Sequence, residues 1–346
     1  MNILLIQLRR IGDLILTTPA IAAVRQTFPD ARITLIVSPE SAAMGPAIAG
    51  VQQVLEVHRG LHDFGLFLKV ARGKFDYCVD FTQNNRSSLL TLASGADKRI
   101  GPLRGKRRGR LRLTVYNELV RLQMRDMHTV DYNLALLEPL GIRNLTPPVQ
   151  LKLPASALEE AGELQRQYKI GEQFFVFHPG AARPEKFWEP DRWANVITTA
   201  MVRWNVTAVL TGGTSEREKA HLAGIRSRLQ QLNSRPKGAV VDLSGKTDLL
   251  SLVALIAKSQ LVVTVDSAPM HLAAATRTPQ VVLFGPTNPF HWHPRGVPSL
   301  ILQGNSPVPV RDFVPWQPRL SMNLISTQAV IDAMDSLLPA PAAKAL

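Results

Sequence analysis

A chain of 346 residues is long enough for two ordinary domains, because single cores seldom grow that large. With 45% hydrophobic and 19% charged residues and no low-complexity tract, its composition excludes a disordered or fibrous protein. The formal net charge of +13 calls for an anionic partner, and nucleic acid, a membrane leaflet or a phosphorylated substrate would each meet it. The longest apolar runs, at 261–265 and 281–284, are far too short to span a bilayer. Met1 leads into an apolar stretch at 3–6, followed by Arg9 and Arg10 and no small-residue cleavage site, so a cytoplasmic chain is expected. The lone Cys78 rules out an internal disulfide or a cysteine-built metal site, and after Tyr77 it reads as core.

The first predicted element is a strand over 3–8, then a turn over 9–13. A helix follows, carrying Leu16, Ala20, Ala23 and Val24 at helical spacing. Pro19 suits the start of that helix, where its missing N–H is not needed. Pro29 and Asp30 close the unit before a strand over 33–37, and a strand over 77–81 repeats the pattern. After 151–154 a second series begins, with strands at 174–178, 206–211, 239–243, 261–265 and 280–284. Helices over 191–203, 216–229, 249–258 and 269–275 alternate with them. Ser326 or Thr327 caps a closing helix bearing Val330, Ile331, Met334, Leu337 and Leu338. Short apolar strands alternating with helices indicate parallel sheets covered on both faces. The expectation is an α/β fold of two Rossmann-like domains facing across a cleft, with the boundary near 150–170, where Pro147, Pro148 and Pro154 cluster.

Ligands of parallel α/β sheets bind beyond the carboxyl ends of the strands. Three loops there stand out. In Arg9-Arg10-Ile11-Gly12-Asp13, Gly12 permits a tight turn or the close approach of a ligand. Asp13 is placed either to cap the helix or to act as a general base on an acceptor hydroxyl. The loop 179–188 is long for a strand-to-helix connection, where about two to six residues are usual. Its small residues let backbone N–H groups approach an anion, and Lys186 offers a point charge for phosphate. In Asp266-Ser267-Ala268-Pro269-Met270-His271, small residues and a proline open a helix, an arrangement that favours a phosphate or diphosphate. Asp266 itself repels phosphate and is read as a sugar-hydroxyl acceptor or a loop-orienting group. Glu216, at the start of its helix, is placed to bind ribose hydroxyls.

Absences narrow the field. No P-loop and no G-x-G-x-x-G fingerprint follows the first strand, which weakens a nucleoside triphosphatase or a dinucleotide-dependent oxidoreductase. No G-x-S-x-G elbow and no zinc-spaced histidine pair occurs, so neither a metal nor a cofactor is expected. His291-Trp292-His293 lacks further ligands and reads as a loop feature.

Together these loops resemble the ADP-heptose:lipopolysaccharide heptosyltransferase family. The matching pieces are ILLIQLRRIGDLILTTP at 3–19, HPGAARPEKFW at 178–188, TGGTSE at 211–216, VDSAPMHLAAA at 265–275 and FGPT at 284–287. Their form is most like that of the type that adds the third, branching heptose. The resemblance implies a GT-B architecture of an acceptor domain (1–160), a donor domain (161–320) and a closing segment (321–346) whose helix crosses back onto the first domain. It implies inverting transfer of heptose from ADP-heptose, with Asp13 as base and Lys186 neutralising the departing diphosphate. Gly12, Ala181, Ala182, Glu216, Thr247, Asp266, Ser267, Ala268, Pro269 and His271 then form the donor site. Ala181 and Ala182 stand where some members carry hydroxyl residues, which leaves only backbone contacts there.

Between Lys98 and Arg112 lie eight basic residues and no acidic one. A solvated loop is the bland reading of such a run. In the domain expected to hold the acceptor, Arg107, Arg108 and Arg110, with Arg9 and Arg10, are assigned to docking a phosphorylated lipopolysaccharide core and an anionic inner-membrane surface. A monomer at the cytoplasmic face of that membrane is expected. Nucleic acid is not the expected partner, because the run has little aromatic interleaving and no reader motif.

Overall fold

The computed structural model describes residues 1–58, 63–103, 114–232 and 239–338. The chain divides into two compact units, Met1–Lys152 and Leu153–Leu346. The first holds β1 (Asn2–Gln7), β2 (Arg32–Val37), β3 (Gln53–Glu56), β4 (Tyr77–Asp80), β5 (Lys98–Pro102) and β6 (Glu118–Val120). They form one six-stranded parallel sheet in the order β3-β2-β1-β4-β5-β6. Its helices are α1 (Ile11–Ile15), α2 (Thr18–Thr27), α3 (Pro39–Ala42), α4 (Phe64–Ala71), α5 (Asn85–Ala93) and α6 (Thr129–Ala135).

The second unit repeats the plan. Its strands are β7 (Phe174–His178), β8 (Thr207–Leu210), β9 (Val240–Asp242), β10 (Leu261–Val265), β11 (Gln280–Phe284) and β12 (Ser299–Gln303). They pair in parallel in the order β12-β11-β10-β7-β8-β9. Its helices are α7 (Ala155–Gln167), α8 (Pro190–Trp204), α9 (Glu216–Gln231), α10 (Leu249–Lys258), α11 (Ala268–Ala275) and α12 (Thr327–Leu337). Counted from its own first strand, each sheet has the doubly wound order 3-2-1-4-5-6. That order reverses direction between β1 and β4 in one sheet and between β7 and β10 in the other, and ligands sit at such switch points.

Burial on both faces explains the apolar runs: β7, β10 and β11 are buried at every position. Cys78 lies in the core of the first unit, where burial pushes its thiol up to about 12. The core of the second unit is anchored by Trp188 and Trp193, packed edge to face at 5.3 Å. α8 ends at Asn205 in the left-handed region (φ 52°), a conformation that asparagine tolerates better than most residues.

Two expectations are revised, and the packing of the closing helix is added. Residues 9–13 are not all turn, because α1 starts at Ile11. α7 straddles the boundary expected at residue 160, but it packs on α10, and Ser251 donates to the Glu160 carboxylate at 2.7 Å, so it belongs to the second unit. The closing helix α12 packs on the core of the second unit. Val330, Ile331 and Met334 join the tryptophan core, and Arg203 of α8 pairs with Asp335.

Candidate active site

At the switch point of the second sheet, β7 and β10 lie side by side with Thr264 opposite His178. The loops that leave them therefore start as neighbours, although their residues are far apart in sequence. Lys186, in the loop after β7, bridges that distance. Its ammonium pairs with the Asp266 carboxylate at 2.5 Å and donates to the Asp266 carbonyl at 2.9 Å. Both side chains are largely buried, at 14% and 8% exposure, so removing either one would leave the other's charge uncompensated. The loop is also held from behind. Phe187 stacks on His221 at 4.4 Å, and the indole N–H of Trp188 donates to the Ile325 carbonyl at 3.1 Å.

α11 begins directly after Asp266. Ser267 stands at its N-cap but makes no capping hydrogen bond, its hydroxyl donating instead to the Val265 carbonyl at 3.3 Å. Pro269 occupies the first turn. The first turn thus lacks the side-chain oxygen that usually meets its N–H groups, leaving the positive end of the helix for an anion. His271, one turn on, is buried, and its Nδ1 has no hydrogen-bond partner. Burial holds its pKa down to about 4, with Asp266 pulling the other way and Lys186 adding to the depression. The His271 Nδ1 thus stands unpaired beside the Lys186–Asp266 ion pair.

The neighbouring loops complete this edge. Ala181 is buried and Ala182 exposed, so the start of the 179–188 loop offers backbone rather than side chain. Arg183 reaches the Thr287 hydroxyl after β11 at 3.4 Å. Thr247 is half-buried in the loop after β9, beside Asp248, which caps α10 through Ser251 N–H. A Cβ on Gly245 would lie 3.2 Å from Thr214, so that loop and the one after β8 touch.

Two glutamates in α9 take different places. Glu216 is 89% exposed and paired with Lys219, whose hydrogen bond and charge hold its carboxyl below the usual range. Glu218 turns back into the site. Its carboxylate accepts from Gly213 N–H at 3.2 Å and from the Ser215 hydroxyl at 3.0 Å. A Cβ on either Gly180 or Gly213 would collide with it. Sequence reasoning singled out Glu216 and passed over Glu218. The signal that finds Glu218 is the capping-box sequence Ser215-x-x-Glu218, although here the carboxylate reaches past the N-cap N–H to Gly213 N–H and the Ser215 hydroxyl.

In the first unit the switch point lies between β1 and β4. Asp80, fully buried at the end of β4, accepts from Thr82 and Gln83 N–H at 2.8 Å each and from the Tyr116 hydroxyl at 2.7 Å. Burial raises its pKa against those bonds. The loop so held presents Thr82, whose hydroxyl accepts from Leu8 N–H at 2.6 Å and whose carbonyl accepts from Arg9 at 3.4 Å. Arg9 in turn lies 3.6 Å from Asp13 in α1. Burial raises the Asp13 carboxyl above its ordinary value, while Arg9 and then Arg10 oppose the rise. Gly12 and Asp13 are half-buried and Arg10 is exposed. A cavity of about 610 Å³ opens here, lined by Arg9, Arg10, His58, Asn84 and Arg86 among others. Its three guanidinium groups, one of them paired with Asp63, outnumber the single lining carboxylate of Glu40, which suits an anionic ligand.

Of the basic run, Lys98 and Arg99 serve the fold: Lys98 donates to the Pro139 carbonyl, and Arg99 to those of Val115 and Ala96. Arg107, Arg108 and Arg110 lie outside the described residues. His293, in the loop before β12, stacks at 4.2 Å on Phe313, in the segment after it. Among the described residues, no helix is long and apolar enough to cross a membrane.

Two doubly wound units in tandem, with a charged loop cluster at the switch point of each, define a GT-B α/β enzyme. The chain belongs to glycosyltransferase family 9 (heptosyltransferase), which matches residues 64–307. It is 28% identical over 338 residues to lipopolysaccharide heptosyltransferase 3 of Escherichia coli, covering 95% of this chain and 96% of that one. Among solved structures it is similar to the family 9 glycosyl transferase of Veillonella parvula, at TM-score 0.82 and 23% identity, covering 97% of this chain and 96% of that one. It is also similar to ADP-heptose lipopolysaccharide heptosyltransferase II of E. coli, at TM-score 0.77 and 22% identity, covering 97% and 98%.

Proposed function

We propose that this glycosyltransferase moves a heptose from ADP-heptose onto a heptose of the lipopolysaccharide inner core, adding the third, branching sugar. The observation that carries the reading is the Lys186–Asp266 pair at the β7/β10 switch point, beside the uncapped start of α11. The ADP diphosphate sits against that helix start and Lys186, with Ser267, Ala268 and Pro269 giving the backbone room it needs. As ADP departs, Lys186 and the helix end stabilise the growing negative charge. Asp266 and His271 face the donor sugar, Thr247 borders the donor, and Glu218 rather than Glu216 takes the ribose hydroxyls.

Asp13 removes the proton from the acceptor hydroxyl as it attacks the anomeric carbon opposite the leaving ADP, so one displacement inverts that centre. The cavity beside Arg9, Arg10 and Arg86 receives an anionic part of the acceptor. The enzyme acts as a monomer, peripherally at the cytoplasmic face of an anionic membrane. The 28%-identical relative supports the third-heptose assignment by its name.

The test is incubation of the protein with ADP-heptose and cores truncated after one, two or more sugars, following ADP release and acceptor mass. Addition only to a core already bearing two heptoses is expected. Addition to a shorter core overturns the branching assignment, and activity with other nucleotide sugars alone overturns the donor.

A further inference from the structure

The first unit carries an apolar face that its own core does not use. α4 has the sequence Phe64-Gly65-Leu66-Phe67-Leu68-Lys69-Val70-Ala71, yet only Val70 is buried. Phe64 is 68% exposed and Leu68, one turn on, 37%. α5 packs against α4 and repeats the arrangement, with Leu89 56% and Leu92 53% exposed. Single exposed leucines are ordinary on a protein surface, but two stripes on adjoining helices are not. The pair is also held firm: Asp63 at the start of α4 accepts from His58 N–H at 2.6 Å and pairs with Arg86 of α5 at 2.5 Å.

The charge carried by these two helices and the turn after α4 has one sign. From Phe64 to Phe75 the chain carries Lys69, Arg72 and Lys74, all exposed, and no acidic residue; α5 carries none either. Exposed phenylalanine and leucine with a cationic collar match a bilayer interface, where apolar groups enter the acyl boundary and cations meet anionic headgroups. We propose that the α4–α5 face docks the protein on an anionic lipid bilayer. Asn84 and Arg86, at the start of α5, also line the cationic cavity at the β1/β4 switch point. Docking through this face therefore sets that cavity beside the headgroups, where a lipid-anchored acceptor presents its sugars. Only this last consequence rests on the proposed transfer reaction.

Vesicle flotation without any sugar donor tests the docking separately from the chemistry. The wild-type protein is expected to float with phosphatidylcholine vesicles containing phosphatidylglycerol and far less with phosphatidylcholine alone. Phe64→Gln with Leu68→Gln, and Leu89→Gln with Leu92→Gln, should each weaken binding by roughly tenfold or more. Replacing Lys69, Arg72 and Lys74 by glutamine should cost about fivefold per charge and erase the preference for anionic lipid. All these side chains point away from the core, so an unchanged melting temperature accompanies each loss. Trp316, 82% exposed in the second unit, supplies the control, and Trp316→Gln should bind as the wild type does. The proposal is overturned if the wild type ignores anionic vesicles, or if only the Trp316 variant loses binding. It is equally overturned if sedimentation shows a wild-type dimer that the Phe64/Leu68 variant converts to monomer, since the face then belongs to a second copy.

Discussion

Lys186 and Asp266 form an ion pair at 2.5 Å, although eighty positions separate them in the chain. A bound diphosphate would compete with Asp266 for the same ammonium. In the proposed reaction the pair would position the lysine for the donor diphosphate. This makes the two residues separable by experiment. Lys186→Ala should lower kcat/KM by roughly 10²–10³, the usual loss for one charge-stabilising donor. It should also lower Tm, because a mostly buried carboxylate is left without its partner. Adding Asp266→Ala to that variant should restore much of the Tm and none of the turnover. A double variant that melts as low as Lys186→Ala would show that the pair does not carry the loop's stability.

The two glutamates of α9 give a second test. Glu218 lies against the backbone of Gly213 and under Gly180, whereas Glu216 points to solvent. Calorimetry with ADP should show Glu218→Gln weakened by roughly tenfold or more, the range for a lost hydrogen bond to a charged group. Glu216→Gln should bind as the wild type does. Gly180→Ala should fold, because the added methyl collides chiefly with the movable end of Glu218 and only presses on His178 Nε2 at 3.3 Å, yet it should weaken ADP as Glu218→Gln does. The opposite ranking of the two glutamates would return the ribose to Glu216.

These residues also show what was legible in the sequence. Strands such as β7, β10 and β11 are buried on both faces, so their apolar runs mark them unambiguously. The edge regions are harder. β3 (QVLE), β5 (KRIGP) and β6 (ELV) are short and only partly buried, and they mix polar with apolar residues. They resemble loop, and none was anticipated. Lys186 and Asp266 were each singled out from their own loops, but their contact was not. It depends on β10 returning beside β7, which is a property of strand order and not of either loop. The Asp80–Tyr116 hydrogen bond, which helps set the loop above Arg9, was invisible for the same reason. The closing helix was found by its periodicity, but its docking partner was not, because an apolar stripe does not say which core will take it.

Three histidines of the second unit should make its stability fall in acid. Burial holds His178, His221 and His271 each to a pKa of about 4. In the unfolded chain an imidazole titrates near 6.5. As pH falls from about 6.5 towards 4, the unfolded state takes up protons that the folded state refuses, so stability present above that window is lost within it. Melting temperatures measured across this range should drop steeply for the wild type. His178→Asn, which can still bond the Thr211 hydroxyl, and His271→Asn should each flatten the drop. Parallel curves for variants and wild type would assign the acid sensitivity to other groups.

Asp13 has the opposite linkage, and that separates its chemical role from its structural one. Burial raises its carboxyl above the ordinary value of 3.8, against the pull of Arg9 and Arg10. A general base must be ionised to act, so kcat should climb with pH through the raised Asp13 pKa and then level off. Arg9→Ala removes the largest opposing charge and should move that climb to higher pH. Asp13→Asn should abolish the climb and lower the rate by about 10²–10⁴. For the fold the sign is reversed. A carboxyl whose folded pKa is raised stabilises the fold while protonated, and that contribution is lost as pH rises through the folded pKa. Asp13→Asn should therefore melt above the wild type at neutral pH and together with it in acid. A helix cap would behave otherwise: its loss would destabilise at neutral pH and leave turnover nearly intact. A variant with that pair of results would take Asp13 out of the reaction and leave it a place in the turn.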